Sequence, residues 1–315
     1  MSKQSYFLFC GIIKSELFGL IGEEAMKYRA LASYLEEAFG EKLYKLSFDG
    51  GFTCPNRDGT VGRNGCIFCL DGSGDFAIPV GEDLDRAVEY AKALVSKKKH
   101  SERYISYFQS YSGTYGKLER LRSLYSAVVS RSDIAVLDIA TRPDCLGDDV
   151  IELLSELNKV KPVWVELGLQ TIHPATAEYI RRGYALPVYD SAVKRLKAAG
   201  IYVIVHMIIG LPGETPQMAA ETAEYIGRSG ADGIKLQLLH VLRGTELADD
   251  YLAGRFEVLS LEEYCEAVRL CLEALPAGIT IHRLTGDGSK RDLIAPLWSA
   301  DKKRVLSALN RALEE

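Results

Sequence analysis

The sequence lacks a hydrophobic run long enough to cross a membrane. Its apolar segment near the start, YFLFCGII at residues 6–13, spans eight residues, whereas a transmembrane helix needs about 20. This segment is not followed by the small-residue cleavage site that a secretory signal carries. We therefore expect no membrane partner.

An excess of positive charge is also missing. Lys and Arg number 38 against 43 Asp and Glu, which gives a formal net charge of −5 at pH 7. Such a chain has no overall attraction to nucleic acid, so a nucleic-acid partner must be held by local basic clusters. Three clusters occur, at Lys97–His100 with Arg103, at Arg181 and Arg182, and at Asp301–Arg304. Each can meet phosphate, and each is also typical of a solvated helix end.

Disulfide bonds are not expected. The chain has seven cysteines, an odd number, and no cleavable signal, which is typical of a reducing compartment. In that setting cysteine serves catalysis, metal binding or core packing. We therefore predict a cytoplasmic location.

The sequence has no low-complexity linker that would divide it into domains. The run GEEAM at residues 22–26 would be encoded by a purine-rich stretch like a bacterial ribosome-binding site, so we expect the native chain to start at Met26. The predicted organisation is a leader at 1–25, an N-terminal helix within 26–42, a barrel at 43–285 and a C-terminal extension at 286–315 that ends in a helix.

Short apolar runs alternate with helical patterns from residue 43 onward. The predicted strands are at 43–49, 104–109, 134–141, 163–171, 202–210, 234–241 and 279–284. Between them, apolar residues recur at helical spacing, for example at Leu84, Val88, Ala91 and Val95. Near-continuous apolar strands separated by helices indicate a parallel sheet covered by helices. We predict an α/β fold, a partial (β/α)6-type TIM barrel with short N- and C-terminal helical extensions.

Three cysteines lie in a polar, glycine-rich loop after the first long strand. Cys54, Cys66 and Cys69 are spaced C-x11-C-x2-C within residues 50–76. The C-x2-C pair lets two thiolates reach one metal centre, and the glycines let the third return to it. A structural zinc site usually has four ligands, and no fourth Cys or His lies within thirty residues. The spacing favours an iron–sulfur cluster, with zinc and simple packing as alternatives.

This loop resembles that of the radical S-adenosylmethionine (SAM) superfamily, although the usual spacing there is C-x3-C-x2-C. The resemblance implies a [4Fe-4S] cluster on the three cysteines, with one iron left to bind SAM, and reductive cleavage of SAM to a 5′-deoxyadenosyl radical. It implies a flavodoxin- or ferredoxin-type electron donor. Phe68 fills the aromatic position that the family favours before the last cysteine.

Other candidate SAM contacts follow successive strands. Gln109 and Ser110 come after the second long strand, where the family binds the SAM amino group. The segment IIGLPGE at 208–214 resembles the family's glycine-bearing SAM motif and contributes Gly210, Gly213 and Glu214, although an ordinary Leu-Pro-Gly turn would also explain it.

Polar residues inside apolar strands are further candidates. Glu166 and Gln170 interrupt an apolar run, which costs free energy unless they are paired or bind a ligand. Ligand contact is the favoured interpretation, and a buried pair is the alternative. His206 either lines the cavity or is a satisfied core histidine.

A narrower resemblance rests on four segments: TRPD at 141–144, VELGLQT at 165–171, RRGY at 181–184 and HMIIGLPGE at 206–214. They are similar to the radical SAM domain of the Elongator catalytic subunit, and the chain resembles the smaller bacterial family of Elongator-like proteins. This implies modification of the wobble uridine of tRNA. The resemblance stops before the acetyltransferase domain, which is not expected in this chain. The alternatives are a radical SAM enzyme for a small metabolite and a non-catalytic metal-binding module.

The other cysteines are assigned separately. Cys145 follows the third long strand and is a candidate catalytic residue, as a hydrogen-atom donor or covalent partner, with an inert buried thiol as the alternative. Cys265 and Cys271 lie on a helical pattern, where core packing is expected.

Overall fold

The computed structural model describes residues 28–70, 77–96, 102–286 and 288–314. The predicted leader at 1–25, the predicted start at Met26 and the basic cluster at 97–100 lie outside these residues. The end of the cysteine loop, at 71–76, also lies outside them.

Across the described residues, nine parallel strands form one sheet that curls into a partial barrel. The strands are β1 (Arg29–Ala30), β2 (Tyr44–Asp49), β3 (Ile78–Pro79), β4 (Tyr104–Phe108), β5 (Ile134–Thr141), β6 (Val163–Gln170), β7 (Tyr202–Ile209), β8 (Gly233–Leu238) and β10 (Thr280–Arg283), and a separate antiparallel pair joins β9 (Val241–Leu242) to β11 (Leu293–Ala295). The order in the large sheet is β1, β10, β8, β7, β6, β5, β4, β2, β3. Each of the seven predicted strands is confirmed, with boundaries shifted by up to three residues.

Helices follow most of the strands. They are α1 (Leu31–Phe39), α2 (Leu84–Ser96), α3 (Leu118–Ser130), α4 (Asp148–Asn158), α5 (Pro174–Tyr179), α6 (Leu186–Ala198), α7 (Pro216–Arg228), α8 (Glu246–Leu252), α9 (Leu261–Ala274) and α10 (Lys302–Glu314). The predicted N-terminal and C-terminal helices are confirmed as α1 and α10. Within the described residues, no helix has the length and hydropathy needed to span a bilayer.

The two faces of the sheet carry different residues because side chains alternate along a strand. On β6, Val163, Val165 and Leu167 belong to the large core between the sheet and the helices. Trp164 lies on the opposite, inner face, in a second apolar cluster. Glu166 also faces inward. The inner face is therefore where polar side chains can meet.

Helix α1 closes the amino-terminal end of the barrel. Leu31 and Leu35 pack with Trp164 in the inner cluster, and the Tyr34 ring lies 5.9 Å from the Trp164 ring, centre to centre. Helix α1 ends at Phe39 and is capped by Gly40, whose φ of 71° is left-handed and whose backbone N–H donates to Glu36 O at 3.0 Å. The carboxyl ends of the strands, where barrel enzymes place their reactive groups, carry the cysteine loop.

Candidate active site

The cysteine loop leaves the carboxyl end of β2 and folds back on itself. Cys69 N donates to Cys66 O at 3.0 Å, which closes the turn between these two residues. Gly65 N donates to Asn56 O at 2.7 Å and joins the second part of the loop to the first. Gly65 has a left-handed φ of 73°, which favours glycine. The excursion thus returns Cys66 to the part of the loop that contains Cys54.

Cys54 and Cys69 both lie close enough to Cys66 to affect its pKa. Burial, followed by the neighbouring thiol of Cys69, raises the pKa of Cys66 to about 11, with a smaller effect of Cys54 in the same direction. Cys66 and Cys69 line one cavity of about 130 Å³. Within the described residues, no three His, Cys, Asp or Glu side chains are arranged to hold a single metal ion. An iron–sulfur cluster is larger and takes one thiolate at each liganded iron, so this group of thiols suits it.

Asn56 connects the cysteine loop to the RRGY segment. Its side-chain Nδ2 donates to the backbone oxygen of Arg181 at 2.6 Å and lies 3.6 Å from Cys66 Sγ, within reach of an N–H···S hydrogen bond. Asn56 is buried, with 4% of its surface exposed. An amide donor is therefore held against one predicted cluster ligand.

The TRPD segment packs against the RRGY segment. Arg142 donates to both carboxylate oxygens of Asp144, at 2.9 and 2.7 Å, and to the backbone oxygen of Arg182 at 2.8 Å. Its guanidinium lies over the Tyr184 ring, 5.2 Å from the centre. The positive charge of Arg142 also opposes the rise in the pKa of Cys66. Two motifs that are far apart in the sequence thus meet beside the thiols.

Arg182 does not offer a phosphate contact. It is 3% exposed and donates to the backbone oxygens of Leu169, Thr171 and Tyr184. The prediction that its side chain can meet phosphate is wrong, because its donors hold the fold together. Arg181 is about one third exposed and pairs with Glu246.

The glycine-bearing motif follows β7. Gly210 and Gly213 have φ values of 88° and 82°, a conformation that favours glycine. A Cβ at Gly213 would meet no atom within 4 Å, so the backbone there borders open space. Glu214 accepts a hydrogen bond from Thr171 Oγ1 at 2.6 Å, and burial raises its pKa. Contact of these three motif residues with SAM stays a prediction.

The segment after β4 contains a buried donor without a partner. Within the described residues, Gln109 Nε2 has no hydrogen-bond partner although it is shielded from water. An unpaired buried amide costs free energy, which a ligand can recover. Ser110 is 3% exposed, and the next residue, Tyr111, has a left-handed φ of 56°. Their role in SAM binding stays a prediction.

Phe68 is partly buried in a small apolar cluster. This cluster includes Ile67, Ile180, Leu211 and Leu247. The ring therefore anchors the second half of the cysteine loop to the segments after β6 and β7. Its contact with the cofactor stays a prediction.

A network of charged side chains lies on the inner face of the barrel. Glu166 Oε1 accepts from Lys45 Nζ at 2.8 Å, and Oε2 accepts from Lys235 Nζ at 2.5 Å and from His206 Nε2 at 2.6 Å. Lys45 Nζ also donates to Asp138 Oδ2 at 2.5 Å. These five residues come from five strands, β2, β5, β6, β7 and β8. We call them the barrel network.

Burial and pairing set the protonation of the barrel network. Burial raises the pKa of Glu166, but Lys235, Lys45 and His206 outweigh it and hold that pKa well below its ordinary value. Burial, followed by the charge of Lys235, lowers the pKa of His206 to about 4, so the ring is neutral at pH 7. Gln237 Nε2 lies 3.0 Å from Nδ1 of this ring, which assigns the proton to Nε2. Burial lowers the pKa of Lys235 to about 7.

The structure thus places Glu166 in a buried pair with His206, the alternative interpretation for Glu166, and satisfies both ring nitrogens of His206, as expected of a core histidine. Direct contact with SAM stays a prediction for both. The sequence reasoning missed Lys45, Asp138 and Lys235. Each is a single charged residue inside an apolar strand. The same signal identified Glu166, so these three residues could also have been found from the sequence.

Gln170 ends β6 in a strained conformation. Its φ is 65°, which is unusual for a residue other than glycine, and the β6–β7 register shifts at this point. A Cβ at Gly168 would lie 2.6 Å from the Gln170 side chain, so that glycine makes room for it. Gln170 lies on the same strand and face as Glu166, nearer the cysteine loop. Contact with the cofactor stays a prediction.

Cys145 lines an open cleft of about 620 Å³ beside the cysteine loop. Lys117, Arg120 and Asp144 also line this cleft. The thiol is 7% exposed, and burial, followed by the charge of Asp144, raises its pKa to about 12. The catalytic role of Cys145 stays a prediction. Cys265 and Cys271 are buried on α9, which confirms core packing.

Comparison with known proteins identifies two family models that together cover most of the chain. The model of the radical SAM superfamily matches residues 58–226, and that of the radical SAM C-terminal domain matches residues 231–315. YtqA of Bacillus subtilis is 43% identical over 289 residues, which are 91% of this chain and 90% of that protein.

Two archaeal proteins are similar to part of the chain. The tRNA uridine(34) acetyltransferase of Methanocaldococcus jannaschii is 29% identical over 154 residues, 48% of this chain and 28% of that protein. A solved structure of Elp3 from Methanocaldococcus infernus superposes with a TM-score of 0.59 at 19% identity, covering 70% of this chain and 58% of that one. That structural likeness confirms the fold. By the match of the superfamily model and the identity with YtqA, the chain belongs to the radical SAM superfamily, whose cofactors are a [4Fe-4S] cluster and SAM.

Proposed function

We propose that Cys54, Cys66 and Cys69 hold a [4Fe-4S] cluster with which this enzyme cleaves SAM reductively. The observation that carries the proposal is the grouping of three thiols in one loop at the carboxyl end of β2, where Cys54 and Cys69 both act electrostatically on Cys66. Three thiolates leave one iron open to SAM. When bound, the cluster supplies the electron that breaks the sulfonium bond of SAM and releases a 5′-deoxyadenosyl radical.

The remaining side chains orient and shield this centre. Asn56 directs an amide N–H at Cys66 Sγ, and the positive charge of Arg142 favours the thiolate form of Cys66. Gly210 and Gly213 adopt a left-handed conformation without strain and, lacking a Cβ, would let the backbone approach SAM closely. The unpaired amide of Gln109 offers a donor to a carboxylate or carbonyl oxygen.

The test is anoxic reconstitution with iron and sulfide, followed by a SAM cleavage assay. We expect four irons per chain and dithionite-dependent release of 5′-deoxyadenosine and methionine. Cys66→Ala should lose both the cluster and the cleavage, whereas Cys265→Ala, a matched change of a buried cysteine in α9, should keep both. Stoichiometric zinc, or a full cluster in the Cys66 variant, would overturn the proposal.

We further propose that the substrate is a uridine of tRNA. The support is the similarity over 154 residues to a tRNA uridine(34) acetyltransferase, together with the exposed Lys303 and Arg304 and the partly exposed Arg181. Mass spectrometry of tRNA nucleosides from cells lacking the protein should show one modified uridine lost. Bulk tRNA should bind at about 50 mM salt, and unchanged nucleosides together with no binding would contradict this substrate.

A small acidic metabolite is the second candidate substrate. The barrel network favours it, because charged side chains line the interior of the barrel, where a folded tRNA cannot reach. The same deletion strain separates the two candidates, since a metabolite enzyme would leave the tRNA nucleosides unchanged while purified protein still cleaves SAM.

A further inference from the structure

The inner face of the barrel changes from apolar to charged between two adjacent layers of side chains. The layer nearest α1 is apolar and includes Leu43, Ile105, Val136 and Trp164. The next layer toward the cysteine loop is the barrel network of two lysines, two carboxylates and a histidine. Branched apolar side chains usually fill such layers of a barrel. Replacing a buried ion network with apolar residues often leaves stability unchanged or improved, so folding alone does not explain this layer.

The barrel network is accessible on one side. The side chains of Lys45 and His206 are each 18% exposed, whereas those of Asp138 and Glu166 are fully buried. Lys235 is 5% exposed. The accessible surface of the barrel network therefore lies mainly on Lys45 and His206, and the carboxylates are covered. We call the interior of the barrel that borders these two side chains the lumen.

Lys45 has hydrogen-bonding capacity left. An ammonium has three N–H donors, and within the described residues Lys45 gives them to two acceptors, Asp138 and Glu166. The Tyr107 ring lies on another side of the ammonium, 4.3 Å from ring centre to Nζ. Although burial lowers the pKa of Lys45, the two carboxylates raise it above its ordinary value, so the group keeps its charge.

One carboxylate oxygen of the barrel network lacks a partner. Asp138 Oδ1 is buried and has no hydrogen-bond partner within the described residues. Burial, followed by the charge of Glu166, raises the pKa of Asp138 to about 7, so this carboxyl group is only partly ionised at neutral pH. Because Lys235 is likewise only partly charged near pH 7, the fully charged members of the barrel network are Lys45 and Glu166. An anion that accepts the remaining N–H of Lys45 would meet the ammonium charge in a low-dielectric space, where the attraction is stronger than in water.

The depth of the site limits what can enter. Lys45 lies four residues before Asp49 at the end of β2, which corresponds to about 13 Å at the usual rise of a strand. A group that reaches Lys45 from the cysteine loop must therefore belong to a small molecule or to a single extended side group. A nucleic-acid phosphate backbone is too wide.

We propose that Lys45, on the floor of the lumen beside the His206 ring, donates a hydrogen bond to an anionic oxygen, a carboxylate or phosphate, of a small substrate or co-substrate. The anion binding stands on the geometry of the barrel network. Its use in turnover rests on the proposed radical SAM function.

The test uses the full chain with its cluster oxidised and acetate as the probe, with neutral acetamide of the same shape as its control. The chain has five histidines, so the 13C signals of their rings are few, and His206→Gln assigns the one of interest. Acetate should shift the His206 signal saturably and acetamide should not. Inorganic phosphate, added in competition, tells which anion fits better, and binding of either supports the proposal.

Two variants with opposite expected effects on the affinity for acetate make the test specific. Lys45→Met should weaken acetate at least about tenfold, since a hydrogen bond to a charged group contributes about 1.5–3 kcal/mol. Lys194→Met, on the exposed face of α6, should leave the affinity unchanged. Asp138→Asn removes a competing carboxylate with no change of shape and should tighten binding, so it carries the test if Lys45→Met does not fold.

The proposal is overturned if neither acetate nor phosphate gives a saturable shift of the His206 signal, if acetamide shifts that signal as much as acetate does, or if Asp138→Asn weakens binding. Failure of the proposed radical SAM function can be told apart from failure of the proposed anion site. If acetate binds but the loaded protein does not cleave SAM, the lumen site stands without the radical chemistry. If SAM is cleaved and acetate does not bind, the reverse holds.

Discussion

Removing the negative charge of Glu166 should destabilise the protein strongly. Glu166→Gln keeps the shape of the side chain but leaves Lys45, Lys235 and His206 facing a neutral amide. One of the amide's two polar atoms would then be a donor directed at other donors. Asp138 is then the one carboxylate left in the barrel network to balance the two buried lysines.

The magnitude follows from burial. Both partners of the Glu166–Lys235 contact are nearly inaccessible, at 0% and 5% side-chain exposure. Removing one member of a buried ion pair typically costs about 3–5 kcal/mol. At about 2 °C for each kcal/mol in a domain of this size, the melting temperature should fall by about 6–10 °C. The control is Glu156→Gln, the same chemical change in an exposed pair with Arg122, which should cost no more than about 1 kcal/mol.

The assay is urea unfolding followed by circular dichroism, with all variants in the same cluster state. The pKa of Glu166 lies well below 4.5, so its contribution is fully present above that pH and is lost as the pH falls through the folded-state pKa. The difference between wild type and Glu166→Gln should therefore narrow in acid. A loss below about 1 kcal/mol at pH 7 would refute the reasoning, because it would show that the two lysines do not depend on this charge.

Three other substitutions test local features. Asn56→Ala removes the amide donor 3.6 Å from Cys66 Sγ. Because hydrogen bonds to the sulfurs influence the reduction potential of a cluster, this potential should fall in an EPR-monitored titration. An unchanged potential would mean that this contact does not tune the cluster. Ser260→Ala breaks the capping box at the start of α9 and should cost about 1 kcal/mol in urea unfolding; no measurable cost would argue against the cap. Gly113→Ala would put a Cβ 2.7 Å from Ile139 Cγ2 and should cost about 1–3 kcal/mol by thermal unfolding, so a stable variant would mean that this contact relaxes easily.

The sequence predicted the strands of the barrel well because each is an apolar run buried on at least one face. Val203, Val205 and Met207, for example, are fully buried on the outer face of β7. The short strands β9 and β11 were not predicted, since two or three residues carry no recognisable period. Their pairing depends on tertiary contacts.

The candidate site was predictable in part. The spacing of the three cysteines indicated a shared centre, and the fold brings their segments together. The barrel network could not be assembled from the sequence, because Lys45 and Asp138 are 93 residues apart and meet only through strand register. Arg182 was misjudged for a related reason. Its charge suggested the surface, but backbone carbonyls around it satisfy the guanidinium in the interior.

The position of α1 has a consequence for the order of events. Since Leu31 and Leu35 seal the amino-terminal mouth of the barrel, the lumen is blind at that end. A small molecule bound at Lys45 is therefore covered by any ligand bound at the carboxyl ends of the strands. If SAM binds at the carboxyl ends of the strands and an anion binds Lys45, as proposed, the anion would have to arrive before SAM or pass through the lateral gap of the partial barrel.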